Sequence, residues 1–196
     1  MPTIVLSFFS ISFFLLPLFT HEPVTPLIPN TAIAESVPVS APEVETKTPA
    51  ENSGNPARVR IPKIGLNAPI QNMGLTPEGD LDVPSGSTKN VGWYAAGTKP
   101  GEEGSAVFDA HVFAAFKKLR YALPGTDVYV DMSNGETLHF KIEESTVYPL
   151  ANVPADQLFN RADTSRLNLI TCAGKLTADK ETYTHRLIAY AVLVDE

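Results

Sequence analysis

The sequence predicts a mainly β domain, closed or nearly closed into a barrel. Three observations carry that prediction. From residue 57 onward the apolar pattern breaks into short segments punctuated by Gly, Pro and Asn; Asn134-Gly135 stands between two alternating segments; and stretches with a helical period are few and short. A chain of 196 residues is long enough to bury one sizeable core, so one folded domain with attachments is expected.

The elements follow in order. Val59 and Ile61 alternate with Arg58, Arg60 and Pro62, and "NAPIQNMGL" resumes after the break at Gly65, which gives two opening strands. "GSAVFDAHVF" (104–113) reads as an apolar strand and "AAFKKLRY" (114–121) as one or two helical turns. "TDVYVDM" and "ETLHFKIEESTVYPL" flank Ser133-Asn134-Gly135, the pattern of a hairpin with a tight turn. "PADQLFN" (154–160) has the form of a short capped helix, "RLNLIT" of a strand, and "HRLIAYAVLV" (185–194) of a long final strand that is apolar on both faces. No internal repeat is present.

The first 56 residues are of another kind. Ile4 to Phe19 is an uncharged apolar run that reads as a signal or membrane-anchor segment (residues 1–20). Sixteen residues of helix span roughly 24 Å, short of the ~30 Å hydrocarbon core, a length that suits a signal sequence better than a spanning helix. Against cleavage, no Lys or Arg precedes the run, and the small-residue site Ala32-Ile33-Ala34 lies far from it. Residues 21–56 hold seven prolines and no apolar period, as in a disordered linker. The expectation is a domain, residues 57–196, held near a membrane surface or released from it, on the extracytoplasmic side.

Charge excludes one class of function. The net charge is −7, and residues 1–56 carry five of the 22 acids but one of the 15 bases, so the folded part is nearly balanced. Lys and Arg form no stripe, which argues against a nucleic-acid partner.

The one cysteine, Cys172, cannot form an internal disulfide. It pairs between chains, packs as a small hydrophobe, or reacts. Its place after "RLNLIT" and before Ala173-Gly174, whose small size lets a substrate backbone approach, suits a nucleophile. A thiol nucleophile needs a proton-transfer partner, and histidine is the usual one. Of the four histidines, His21 lies in the linker, and His139 alternates with Leu138 and Phe140 and so faces away from the core. His111 closes the strand "GSAVFDA" as Cys172 closes its own, and ranks first; His185, at the start of the last strand, ranks second. Acyl transfer also develops an oxyanion, which needs a donor. Arg186 opens the final strand and comes opposite Cys172 if the last two strands pair antiparallel.

In that company the segments "GWY", "AVFDAHV", "LPGTDVYV", "LNLITCAG" and "HRLIAYAVLV", in this order, resemble the sortases, cysteine transpeptidases of Gram-positive-type cell surfaces, and most closely the class labelled F or its D/E-like neighbours. The resemblance covers residues 57–196. It implies a β-barrel of about eight strands with one or two short helices, Cys172 as nucleophile, His111 as general acid/base, and Arg186 as the residue that positions substrate and stabilises the oxyanion. Thr171, before the nucleophile, would shape a substrate pocket together with Ala173 and Gly174. The implied substrate is an LPXTG-type C-terminal sorting signal on a surface protein, and the acceptor a peptidoglycan precursor or a pilin amine. No cofactor and no metal is expected, since clustered carboxylates of the calcium-binding kind are not found. Two departures stand out: Ala110 precedes the histidine where relatives often have Gly, and Phe113 sits two residues after it where they commonly carry Asp or another polar residue.

Two other readings compete with this one. A cysteine L,D-transpeptidase would show a "SHGC"-like context, which "ITCAG" does not supply. A non-catalytic wall- or pilus-binding β-domain would use Cys172 only for packing.

Overall fold

The computed structural model describes residues 54–161 and 163–194. The apolar run 4–19, His21 and all of the Pro-rich linker before residue 54 lie outside the described residues. The β-rich pattern read from the sequence becomes eight strands: β1 (Pro56–Ile61), β2 (Leu66–Met73), β3 (Val91–Tyr94), β4 (Gly104–Asp109), β5 (Asp127–Met132), β6 (Thr137–Pro149), β7 (Ser165–Leu176) and β8 (Tyr183–Leu193). One five-residue helix, α1 (Ala155–Phe159), and three short 3-10 turns complete the described elements. The strands close in the order β1-β2-β3-β4-β7-β8-β6-β5, with β5 pairing back onto β1. The pairs β2–β3 and β4–β7 are parallel and the rest antiparallel. Among the described residues no helix is long and apolar enough to cross a membrane.

Alternation along the strands divides the side chains into two populations, because successive residues face opposite sides of a sheet. Ala106 and Phe108 of β4, Leu167 and Leu169 of β7, and Leu187, Ala189 and Ala191 of β8 point into the barrel, where they pack with Val59, Ile61, Val128, Val130, Phe140 and Ile142. The intervening Val107, Ile170, Ile188 and Tyr190 face outward and form a second cluster with Leu158 of α1. Strand β8 is therefore apolar on both faces because each face covers a core. Leu158 is almost completely buried, a contribution of roughly 1.5–3 kcal/mol. The helix is fastened by Asn168, whose buried Nδ2 donates to the Leu158 carbonyl at 2.6 Å.

Several local expectations change in the folded chain. Strand β4 stops at Asp109, the last residue paired with β3. Beyond it the chain runs through successive three-residue turns, with Ala114 N–H bonded to His111 O (3.0 Å) and Lys117 N–H to Ala114 O (3.3 Å), and only Leu119–Tyr121 forms a 3-10 turn. Strand β3 has four residues and a central Gly92, too short to show an alternation. The hairpin of β5 and β6 is closed by Met132 N–H to Glu136 O at 2.8 Å, so its loop has three residues and Gly135 takes the left-handed position at φ 89°. Helix α1 follows its N-cap residue Pro154 without a side-chain cap hydrogen bond; its C-terminal end is bound by Asn160 N–H to Asp156 O at 2.8 Å.

Candidate active site

Strands β4, β7 and β8 lie side by side, and their registers bring three sequence-predicted residues to one place. Asp109 is level with Ile170 across the parallel β4–β7 pair. Two residues further on, each chain reaches its candidate, His111 on one and Cys172 on the other. The two chain ends are held together beyond the ladder: Thr171 Oγ1 donates to the Ala110 carbonyl at 2.6 Å, and Ala110 N–H reaches the Ile170 carbonyl at 3.4 Å. On the other side Cys172 is the cross-strand partner of Arg186. Cys172 continues the outward parity of Asn168 and Ile170, as Arg186 does that of Ile188 and Tyr190. All three candidates line one open cleft of about 1460 Å³ on the outer wall of the barrel. The thiol is free and half-buried.

The cleft has an apolar base and rim. Leu158, Ile170, Val153 and Phe159 line its depth, and the exposed Leu75, Phe113, Leu150 and Leu176 stand around it. Its ionisable lining is mixed: Asp80, Asp109 and Glu181 with Lys180, His111 and Arg186.

The remaining predicted positions fall on different sides of the strand. Thr171 is 4% exposed and spends its hydroxyl on Ala110, so it fixes the spacing of the two strand ends. Ala173 packs toward the barrel core. Gly174 lies in a register shift between Ala173 and Leu176, at φ 79°. A Cβ there would stand 2.5 Å from Thr184 Oγ1 and 2.6 Å from His185 Nδ1. The space left by that glycine is thus filled by Thr184 and His185. Cys172 does not end its strand, as the sequence suggested; it precedes this irregularity, beyond which β7 and β8 pair once more at Leu176 and Tyr183. His185 is paired with Ala173, and its Nδ1 shares a 2.8 Å hydrogen bond with the Thr184 hydroxyl, away from the cleft. His139 lies on the outer face of β6, 2.9 Å from Asp127 Oδ1 and stacked on Tyr129, in keeping with its outward parity.

Arg186 is held by the segment just before it. Its Nη1 donates to the carbonyls of Tyr183 (3.1 Å) and His185 (3.0 Å), and Nη2 donates to Thr182 Oγ1 (3.0 Å). Three of the five guanidinium donors are so engaged, and two are left for a ligand in the cleft. The loop that supplies these acceptors is itself tied: Thr177 N–H bonds Thr182 O at 2.8 Å, Thr177 Oγ1 bonds Asp179, and Glu181 N–H bonds Asp179 Oδ1 at 3.0 Å. The thiol and the guanidinium are therefore positioned by the β7–β8 hairpin, and the imidazole by the turn that ends β4.

Three residues beside the predicted site, Phe113, Gly86 and Asp109, were not picked out as site residues from the sequence. Phe113, noted there only as a departure from the family pattern, is 60% exposed, yet its ring stacks on His111 with centroids 4.8 Å apart and planes at 12°. Gly86 lies against both rings: a Cβ on it would be 2.7 Å from Phe113 Cε2 and 3.4 Å from His111 Cδ2. Asp109, two residues before His111 and lining the same cleft, is 7% exposed and its Oδ2 has no hydrogen-bond partner among the described residues. Burial, and secondarily the nearby Asp82, push its carboxyl up to about 7. Its other oxygen leans over Gly92, where a Cβ would come within 2.3 Å of Oδ1. The only advance sign of such a site is an Asp in an otherwise apolar strand opposite a glycine.

Comparison with known proteins places the chain in a family. The family model described as the Sortase domain matches residues 59–194. The chain belongs to the sortase family. Sortases are cysteine transpeptidases, and solved sortases share the fold of this one. A Clostridium perfringens sortase D5 transpeptidase aligns at 20% identity and TM-score 0.55, over 72% of this chain and 79% of that one. Sortase A from Corynebacterium diphtheriae aligns at 20% identity and TM-score 0.55, over 74% of this chain and 63% of its own. Sortase C1 of Streptococcus suis gives 21% identity and TM-score 0.56, over 74% and 75%. No curated protein matches the chain by sequence. The eight-strand barrel expected from the resemblance is the one observed.

Proposed function

We propose that this sortase, of class F or D/E-like type, cleaves an LPXTG-type sorting signal at Cys172 and transfers the surface protein to a cell-wall or pilin amine. The observation that carries the proposal is the convergence of Cys172 and Arg186, from two paired strands, and of His111, from the turn just beyond β4, on one outward-facing cleft. The setting is the extracytoplasmic face of a Gram-positive-type cell, with the N-terminal segment as signal or anchor.

The chemistry follows from where the side chains stand. The cleft receives the sorting peptide as an extended strand, with its apolar side chain among Leu158, Ile170 and Val153. The Cys172 thiolate attacks the backbone carbonyl carbon, and the two unengaged N–H donors of Arg186 face the oxygen on which charge develops. His111 gives its proton to the departing amine as the C–N bond breaks, which leaves a thioester on Cys172. The acceptor amine then attacks that thioester carbonyl. Its proton passes to His111, the new C–N bond forms, and the C–S bond breaks to return the thiolate. Ala173, Gly174 and Thr171 contribute by shaping the strand around the nucleophile, Thr171 through its bond to Ala110.

The test is mass spectrometry of the protein incubated with sorting peptides and an amine. The expected result is a covalent adduct on Cys172 that is released on addition of the amine. A labelled sorting peptide still captured covalently by Cys172→Ala would overturn the assignment. A Cys172 inert to thiol reagents, with no adduct from any peptide, would favour the binding module instead.

A further inference from the structure

A second cleft, of about 450 Å³, opens on the far side of Phe113. It lies between the start of β2, the turn at Ser85–Thr88 and the turns that follow His111, and Phe113 lines both clefts. Its charge differs from that of the first. Lys89, Lys117 and Lys118 line it and no Asp or Glu does, in a protein whose net charge is −7. All three lysines are exposed, and none makes an ion pair among the described residues. The Ser85–Thr88 wall is a self-bonded turn, with Thr88 N–H and Thr88 Oγ1 both on the Ser85 carbonyl at 2.9 Å. Gly86 within that turn lets the wall approach the edge of the stacked His111 and Phe113 rings.

A transpeptidase must bring two substrates to one general acid/base. Once the donor peptide is acylated onto Cys172 it fills the larger cleft, so the second substrate needs another approach to His111. We propose that the smaller cleft is the acyl-acceptor site, and that its lysines select a peptide amine carrying carboxylates close to the amine. This rests on the reading of Cys172 and His111 given above. The acceptor's carboxylates lie against Lys89, Lys117 and Lys118 while its amine passes the edge of Phe113 to the thioester. The amine nitrogen forms the new bond to the acyl carbon, its proton goes to His111, and sulfur leaves as thiolate.

The experiment uses the full chain, a sorting peptide as donor, and three acceptors that share one amine-bearing peptide: one ends in a carboxylate, one in an amide and one in a phosphate monoester. The wild type should show a KM for the carboxylate acceptor about five- to tenfold below that for the amide, the size expected of a few exposed charge contacts. The variant Lys89→Glu/Lys117→Glu/Lys118→Glu should remove or invert that preference and leave hydrolysis of the donor unchanged. Equal KM values for carboxylate and amide in the wild type, or a preference that survives the triple reversal, overturns the proposal. Preference for the phosphate ester over the carboxylate overturns the assigned acceptor class. Binding of the three acceptors to Cys172→Ala without donor provides a readout independent of catalysis. If the carboxylate preference appears there while the wild type forms no acyl-enzyme, the acceptor site holds and the catalytic assignment fails.

Discussion

The two clefts that meet at the His111–Phe113 stack differ in almost every property. The larger has an apolar base, a free thiol and one fixed guanidinium; the smaller has hydroxyls and three lysines that make no ion pair among the described residues. In the larger, Cys172 and Arg186 sit on the long paired strands β7 and β8 and are placed by sheet register, while His111 stands on the turn beyond β4 and loops and α1 supply much of the remaining lining. The smaller is built from turns, which set its shape by local hydrogen bonds and hold its lysines only by long, mobile stems. On the proposed reading, the difference shows where each half of a two-substrate reaction places its demands: bond breaking asks for geometry, which paired strands supply, and acceptor choice asks for charge, which turns and long side chains supply.

The sharpest way to break this contrast is at Arg186. Arg186→Lys keeps the charge but loses the planar fork that bonds Tyr183 O, His185 O and Thr182 Oγ1 at once. If the larger cleft depends on fixed geometry, the variant should lose donor cleavage and transfer together, by about 10²–10³-fold, the usual cost of one oxyanion donor. Steady-state kcat for both reactions is the measurement. A variant within threefold of wild type would mean that charge alone suffices there, as proposed for the smaller cleft.

Much of the larger cleft was legible in the sequence, and little of the smaller one. Strand residues have a two-residue period, so Cys172 and Arg186 could be set opposite each other from the antiparallel pairing of the last two strands alone. His111 could be placed because it closes an apolar strand, although where that strand ends was not legible: β4 stops when its pairing with β3 stops, and β3 is too short to leave a pattern. The Phe113 stack, the Gly86 contact and the three-lysine lining join residues of separate turns, and turns have no period to read. Gly174 was misjudged for a similar reason. Its small size was clear, but which neighbour fills the space depends on the register shift that brings Thr184 and His185 over it.

A second test concerns the charge buried beneath the larger cleft. The Asp109 carboxyl is pushed up to about 7 by burial and by Asp82, so the folded state holds its proton more tightly than the unfolded chain, whose Asp titrates near 3.8. Between about pH 4 and pH 7 the unfolded state binds fewer protons, and stability falls as pH rises through that window. Asp109→Asn removes this loss. The variant should match the wild type near pH 4 and exceed it by about 2–4 kcal/mol at pH 8, read from urea midpoints at the two pH values. A constant difference across pH would show that the carboxyl is not buried as described. Because Asp109 lines the same cleft as His111, a change in the pH profile of donor cleavage with no change in acceptor preference would locate its influence in the larger cleft alone.

Phe113→Ala takes away the partition. The ring is 60% exposed, so its loss should cost little stability, roughly within 0.5 kcal/mol. The two clefts would then communicate freely beside His111, and water would gain the access that the acceptor uses. The expected result is a rise of about three- to tenfold in the ratio of hydrolysis to transfer, measured from product ratios at fixed acceptor concentration. An unchanged ratio would mean that the ring does not separate two working sites.

The effect expected at Thr182 is no larger than that at Phe113, and it separates positioning from direct chemistry. Its hydroxyl accepts one hydrogen bond from Arg186 Nη2 and stands outside the barrel, half-buried in the β7–β8 loop. The loop keeps its other ties in Thr182→Ala, because Thr177 bonds the backbone O and N–H of residue 182, which the substitution leaves in place. Only one of three restraints on the guanidinium is removed, and a net hydrogen bond to a charged group is worth about 1.5–3 kcal/mol when fully lost. Since two restraints remain, a loss of about three- to tenfold in kcat for donor cleavage is expected, with KM for the acceptor unmoved. Thr182→Ser, which keeps the hydroxyl, should restore the rate. If Ser fails to rescue, the methyl group's packing and not the hydrogen bond holds Arg186. If KM for the acceptor moves as well, the guanidinium also serves the second substrate, and the division of labour between the two clefts is not the one their charges suggest.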